Sequence, residues 1–254
     1  GLRLNQLPFL LGVAAYFFWR GAESVLAHKR TVQAAPRARD HRLAWFVLSG
    51  VGAGLCFYTY MSARVIPLLF GFFALYGVLR TVYLERRGWR AAWSAWWPVV
   101  AFFLVAALVM APLAIYLVQR PSRTDIPQRE SQVDRPLRAL LAGNLAPILD
   151  NAWSLIKMWN FDGERYWQLN YSHRPVFIEP VSGLFFWIGL AAAIWQWKEP
   201  RMALLLIWCG MGMVPSLVTS EAPSWPRTML ASPAALAFPG IGAAAVVRGL
   251  DVLR

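Results

Sequence analysis

Residues 91–118 read AAWSAWWPVVAFFLVAALVMAPLAIYLV, a stretch without one acidic, basic or histidine side chain. An α-helix rising 1.5 Å per residue needs about 20 apolar residues to cross roughly 30 Å of hydrocarbon, so this stretch is long enough to span. A lone segment in lipid must pair its backbone amides internally, and the helix is the structure that does so. Working outward, similar runs occupy about 44–62, 181–197, 202–219 and 229–247. The run 65–79 is short, and it gains Thr81, Val82 and Tyr83 if Arg80 carries its charge to the interface. The run 7–19 is shorter still and ends at Arg20 and Glu23, so it is either a clipped helix or a span whose last turns emerge into an amphipathic stretch. The expected fold is all-α, a polytopic transmembrane helical bundle of about seven spans.

Composition agrees. Of 254 residues, 58% are hydrophobic and only 15% charged, with mean hydropathy +0.43, whereas soluble domains carry about 25% charged residues. The 14 Trp and 8 Tyr belong to a class that collects where lipid meets water. Lys and Arg total 25 against 13 acids, a balance of +12 that on a soluble protein would point to nucleic acid. Here the excess is spread over span ends, which removes the support for a nucleic-acid partner. Alternate connections 28–43, 80–90, 198–201 and 248–254 hold 13 of these bases in 38 residues, while 62–66, 119–179 and 220–229 hold 10 in 76. Because short cytoplasmic connections retain positive charge, the denser set is assigned to the cytoplasm. The expected organisation is therefore residues 1–118 as spans with basic cytoplasmic connections, 119–179 as an extracytoplasmic loop, and 180–254 as C-terminal spans ending in the cytoplasm.

At 61 residues the loop is too long for a bare connector. From Pro136 to Trp159 its apolar positions recur at steps of three and four, predicting an amphipathic helix broken at Gly143 or Pro147. It either lies along the outer membrane face or packs on the bundle. Cys56 and Cys209 sit in apolar runs with no CxxC spacing, which reads as core packing and not as a disulfide or zinc site. His28, His41 and His173 are scattered, and no phosphate-binding glycine loop or HExxH motif occurs. No cofactor is called for; a divalent metal would be compatible, but no ligand set points to one.

Three polar clusters fall at outer span ends. The tip Phe57-Tyr58-Thr59-Tyr60-Met61-Ser62-Ala63-Arg64 offers tyrosine hydroxyls and one cation. Arg64 is either an interfacial anchor or a cation for a phosphate or pyrophosphate group. The connection Ser220-Glu221-Ala222-Pro223-Ser224-Trp225-Pro226-Arg227 carries one base, Arg227, which either pairs with Glu221 as a cap or meets a lipid phosphate. The third cluster, 158–170, interleaves aromatics with Asp162, Glu164 and Asn170, a mixture suited to sugar rings and hydroxyls and equally to a plain surface loop.

Taken in order, the tip after the glycine-rich run (Gly50, Gly52, Gly54), the "MWNFDGE…N…RP…EPVSGLFFWIGL" stretch and the "PSLVTSEAPSWPRTMLASP" connection resemble bacterial membrane glycosyltransferases of the GT-C superfamily. The likeness is greatest to the branch of protein O-mannosyltransferases and the lipid A aminoarabinose transferase, and it runs over most of residues 44–245. It implies an integral multi-pass protein of the bacterial inner membrane that takes a sugar from a polyprenyl-phosphate donor. The acceptor would be protein, lipid or glycan, reached on the outer face with inversion at the sugar. Membrane lipids are its further partners. By the same resemblance Arg227 is the first candidate for the donor phosphate and Arg64 the second, with Tyr58, Tyr60, Glu221, Asp162, Glu164 and Asn170 around donor and acceptor. The family's general base lies in an acidic first outer loop, and no such loop precedes residue 44. With Gly1 in place of an initiator Met, the chain is expected to be the C-terminal part of such an enzyme, its base upstream. The rival from another class is a transporter or flippase for lipid-linked sugars, which would favour charges in mid-span.

Overall fold

In the computed structural model, residues 2–26, 41–119, 136–164 and 174–252 are described, and among them the regular structure is entirely helical. The chain divides into two units, Gly1–Gln119 and Arg120–Arg254.

The first unit contains α1 (Leu2–Leu26), α2 (Arg42–Cys56), a 3-10 turn (Met61–Val65), α3 (Ile66–Leu79), a π-helical turn (Arg80–Leu84), α4 (Trp89–Trp96) and α5 (Val99–Gln119). Of the two readings of the run at 7–19, the continuing helix holds: α1 runs on through the charges, where Arg20 Nη1 lies 3.3 Å from Glu23 Oε2 one turn on. Helix α2 carries small residues on two faces. Gly50 and Gly54 lie against Phe102, Val105 and Val109 of α5, while Gly52 lies on Ala14 of α1, so backbones approach on both sides. Ser49 Oγ donates to Ala14 O at 2.7 Å across the same contact. Around this seam Phe18, Phe46, Phe70 and Phe102 form a fully buried aromatic core, with Phe18 centroids 4.6 Å from Phe70 and 5.2 Å from Phe102.

The run at 65–79 does extend past Arg80, as part of Met61–Leu84, and Arg80 Nε lies 3.5 Å from Glu85 Oε1 while Arg87 holds the other carboxylate oxygen at 3.5 Å. The stretch 91–118 falls within Trp89–Gln119, long and apolar enough to span, with its regular helix interrupted at Trp97–Pro98, where proline supplies no amide proton.

The second unit contains a helical turn at 136–141, α6 (Ala146–Met158), α7 (Pro180–Trp195), α8 (Pro200–Leu217), two single-turn helices α9 (Trp225–Thr228) and α10 (Ser232–Ala235), and α11 (Ala237–Val252). The break in the amphipathic pattern falls at Gly143, whose φ of +82° is the left-handed region that glycine enters freely. Pro147 instead opens α6, where it displaces no hydrogen bond. Leu155 and Met158 are buried, whereas Leu145, Leu149, Trp153 and Ile156 are exposed along it. The stretch 229–247 is divided, because Pro233 and Pro239 each remove an amide donor and the chain turns before α11. Helices α7 and α11 cross closely: a Cβ at Gly189 would collide with Phe238 O, and one at Gly242 with Phe185 O.

By length and composition, Gln6–Leu26, Met61–Leu84, Trp89–Gln119 and Pro200–Leu217 can cross a membrane; Arg42–Cys56 and Pro180–Trp195 are apolar but shorter.

Candidate functional site

The C-terminus of α6 leaves carbonyls that helix geometry cannot satisfy, and their partners set up the site. Lys157 O accepts from the amides of Asn160, Phe161 and Asp162 at 3.2, 2.8 and 3.0 Å. Met158 O and Trp159 O accept from Val176 N and Phe177 N at 2.9 and 2.8 Å. This crossing strand passes so close that a Cβ at Gly163 would collide with Arg174 O, which accounts for glycine there. Trp159, Phe177, Phe186 and Phe238 pack beneath as one aromatic stack, with the Trp159 and Phe186 centroids 5.1 Å apart. The segment carrying Glu164 is thereby fixed.

The opposing wall is the connection from α8 to α9. Asn151 Nδ2 donates to Leu217 O and Thr219 O at 2.8 and 2.6 Å, holding the frayed end of α8. Ser216 Oγ accepts from Ser224 N at 3.0 Å, and Ser224 O accepts from Thr228 N and Thr228 Oγ1 at 3.0 and 2.9 Å. Five of the eight buried polar residues among those described (Glu164, Ser216, Thr219, Ser224 and Thr228) gather here, so polar burial is concentrated at this turn.

Glu164 joins the two walls. It is 4% exposed, and its Oε2 accepts from Trp225 N at 3.1 Å. Burial pushes its carboxyl above the ordinary value, and Glu221 adds to that rise; the Trp225 amide, the Ser224 side chain and the Arg227 charge pull the other way without cancelling it. Arg227 lies beside it with 19% of its side chain exposed. Its Nη2 is 3.7 Å from Glu221 Oε2, an ion pair longer than a hydrogen bond. Its Nη1 is buried with no hydrogen-bond partner among the described residues. Buried donors of a charged group are normally paired, so this nitrogen is the unsatisfied point of the site.

Of the residues singled out from sequence, Glu164, Glu221 and Arg227 come together, and Asp162 is half-buried two residues from Glu164. Asn170 lies outside the described residues. Tyr58, Tyr60 and Arg64 belong to the first unit. There Tyr58 OH donates to Val109 O at 2.9 Å, Tyr60 O accepts from Ala63 N at 3.1 Å, and Arg64 projects exposed, with no acidic partner among the described residues. Sequence reasoning missed Asn151, Ser216 and Asn160. Asn160 Oδ1 is buried without a partner among the described residues, and its amide nitrogen occupies the space that a Cβ on Gly183 would need. Asn151 lies beside Asp150 in an amphipathic helix that also carries Ser154 and Lys157, so nothing local singled it out.

No protein-family model, curated protein or solved structure matches this chain. What can be said of its chemistry therefore rests on the site itself. That site is one cation held by a rigid turn, two flanking carboxyl groups, and no cluster of three or more metal-ligating side chains among the described residues.

Proposed function

We propose that the chain is part of a membrane glycosyltransferase that uses a polyprenyl-phosphate sugar donor, with Arg227 receiving the donor phosphate. The observation that carries this reading is the buried, partnerless Nη1 of Arg227 on a turn fixed by Glu164, Asn151 and Ser216. A phosphate has oxygens enough to take both guanidinium nitrogens, and guanidinium–phosphate pairs are short and strong. Glu221 is the ion such a phosphate displaces. The sequence resemblance supplies the sugar and the polyprenyl chain.

In this reading the chain crosses the membrane seven times. The connections at 28–43, 80–90 and 198–201 and the C-terminus are cytoplasmic, and 119–179 faces outward. The membrane is the bacterial inner membrane, and the exposed apolar side of α6 rests on its outer surface. An acceptor hydroxyl on protein, lipid or glycan attacks the anomeric carbon. The bond from that carbon to the phosphate oxygen breaks, and the polyprenyl phosphate leaves with the electron pair. A general base takes the acceptor proton, while Arg227 meets the charge that grows on the leaving phosphate.

Equilibrium binding of polyprenyl phosphate to the protein in lipid nanodiscs tests the reading. Arg227→Ala is expected to weaken binding by about ten- to a hundredfold, the loss of a charged hydrogen-bonded contact of about 1.5–3 kcal/mol. Glu221→Gln, which removes the competing anion, is expected to tighten it. Unchanged affinity in both variants would refute the assignment.

A further inference from the structure

In the second unit, helices α7 and α11 run in the same direction: Phe186 meets Phe238 near one end, and Gln196 and Arg248 border a single cavity at the other. Between these points their backbones cross closely at Gly189 and Gly242. This cavity, about 320 Å³, is lined by Met202, Ile241, Ala244 and Ala245 together with two residues that carry polar side chains, Gln196 and Arg248. Arg248 is exposed. The adjoining connection carries Lys198 and Arg201 against Glu199, and Trp195 and Trp197 stand exposed beside it.

We propose that this cavity holds the headgroup of an anionic glycerophospholipid, with Arg248 on the phosphodiester oxygens, the Gln196 amide on the glycerol, and the first methylenes of an acyl chain against Ile241, Ala244 and Ala245. Basic pockets between membrane helices are suited to such headgroups. The volume lies at the small end of the range for ligand sites, about 300–1,000 Å³, so it fits a headgroup and its nearest methylenes and leaves the acyl tails in the bilayer. Exposed tryptophans mark the depth at which a headgroup lies, and the charge of the connection selects an anionic lipid over a zwitterionic one. A freely diffusing phosphate would gain nothing from the apolar wall. This site is independent of the glycosyltransferase reading.

Native mass spectrometry of the full chain, released from nanodiscs of mixed phosphatidylglycerol and phosphatidylcholine, tests the proposal. The wild type is expected to retain one phosphatidylglycerol about tenfold in preference to phosphatidylcholine. Arg248→Gln removes the cation and Ala245→Trp fills the cavity while leaving every charge; both are expected to abolish the preference. Arg90→Gln, on the other unit, is expected to keep it, and millimolar glycerol phosphate is expected not to compete. Retention of the preference in Arg248→Gln or Ala245→Trp overturns the proposal. So does its absence in the wild type, or displacement of the lipid by glycerol phosphate. Because Arg248 is exposed and the two variants act by different means, a folding defect in one leaves the other to decide.

Discussion

Arg64 and Arg227 look alike in the sequence, each the one base in a short polar connection between apolar runs, yet the structure treats them differently. Arg64 lies in a five-residue 3-10 turn, Met61–Val65, and projects exposed. Arg227 sits on a turn tied to α6 by Asn151, to α8 by Ser216 and to the 158–164 segment by Glu164. An exposed arginine spends its side-chain entropy anew on each anion it meets, whereas a guanidinium already held in place does not. A cation becomes a site through what immobilises it.

That contrast can be broken at its supports. The largest effect is expected from Gly163→Val, which drives a branched side chain into the Arg174 backbone and displaces Glu164. A loss of about 1–3 kcal/mol or more should show as a lowered Tm in detergent, while Gly71→Ala in the first unit, whose Cβ would meet nothing nearer than 3.7 Å, should leave Tm unchanged. Next, Glu164→Ala leaves the Trp225 amide buried without its acceptor, at about 1–3 kcal/mol, and should speed hydrogen exchange at that amide.

Glu164 also predicts a pH dependence. Its carboxyl is raised in the fold, so between the ordinary carboxyl value and the raised one the folded protein binds more proton than the unfolded chain. Stability should therefore fall as pH rises through that window and level off above it. Glu164→Gln should flatten the profile there, and a variant with the wild-type slope would locate the titration elsewhere. The smallest effect belongs to the tip: Tyr58→Phe removes the bond to Val109 O for about 0.5–1.5 kcal/mol and should leave donor binding as it was.

How much of this could be read beforehand follows from the range of the interactions. Apolar run length is a local property, and it located most of the helices; residue type narrowed the break in the amphipathic pattern to Gly143 or Pro147, and it falls at Gly143. Prolines within apolar runs were equally visible at Pro98, Pro233 and Pro239, but a count of apolar residues ignores the missing amide, so two long runs were read as unbroken. Arg20 and Glu23 left the end of the first run undecided between two readings, because their pairing depends on being helical already. At the site, charge type and chain order picked out Glu164, Glu221 and Arg227. The clamp did not show, because Asn151 to Thr219 and Glu164 to Trp225 are contacts between residues more than sixty positions apart. The burial that raises Glu164 has no counterpart in any short stretch of sequence.

The most direct test of the central claim sets the two arginines against each other. Sugar transfer from a polyprenyl-phosphate donor would be measured in membranes containing the full-length protein with Arg227→Ala or with Arg64→Ala, at equal membrane insertion. A transfer rate cut at least tenfold by Arg227→Ala and changed less than about threefold by Arg64→Ala is the result expected from a fixed and an unfixed cation. Equal rates in the two variants, or the greater loss with Arg64→Ala, would contradict it.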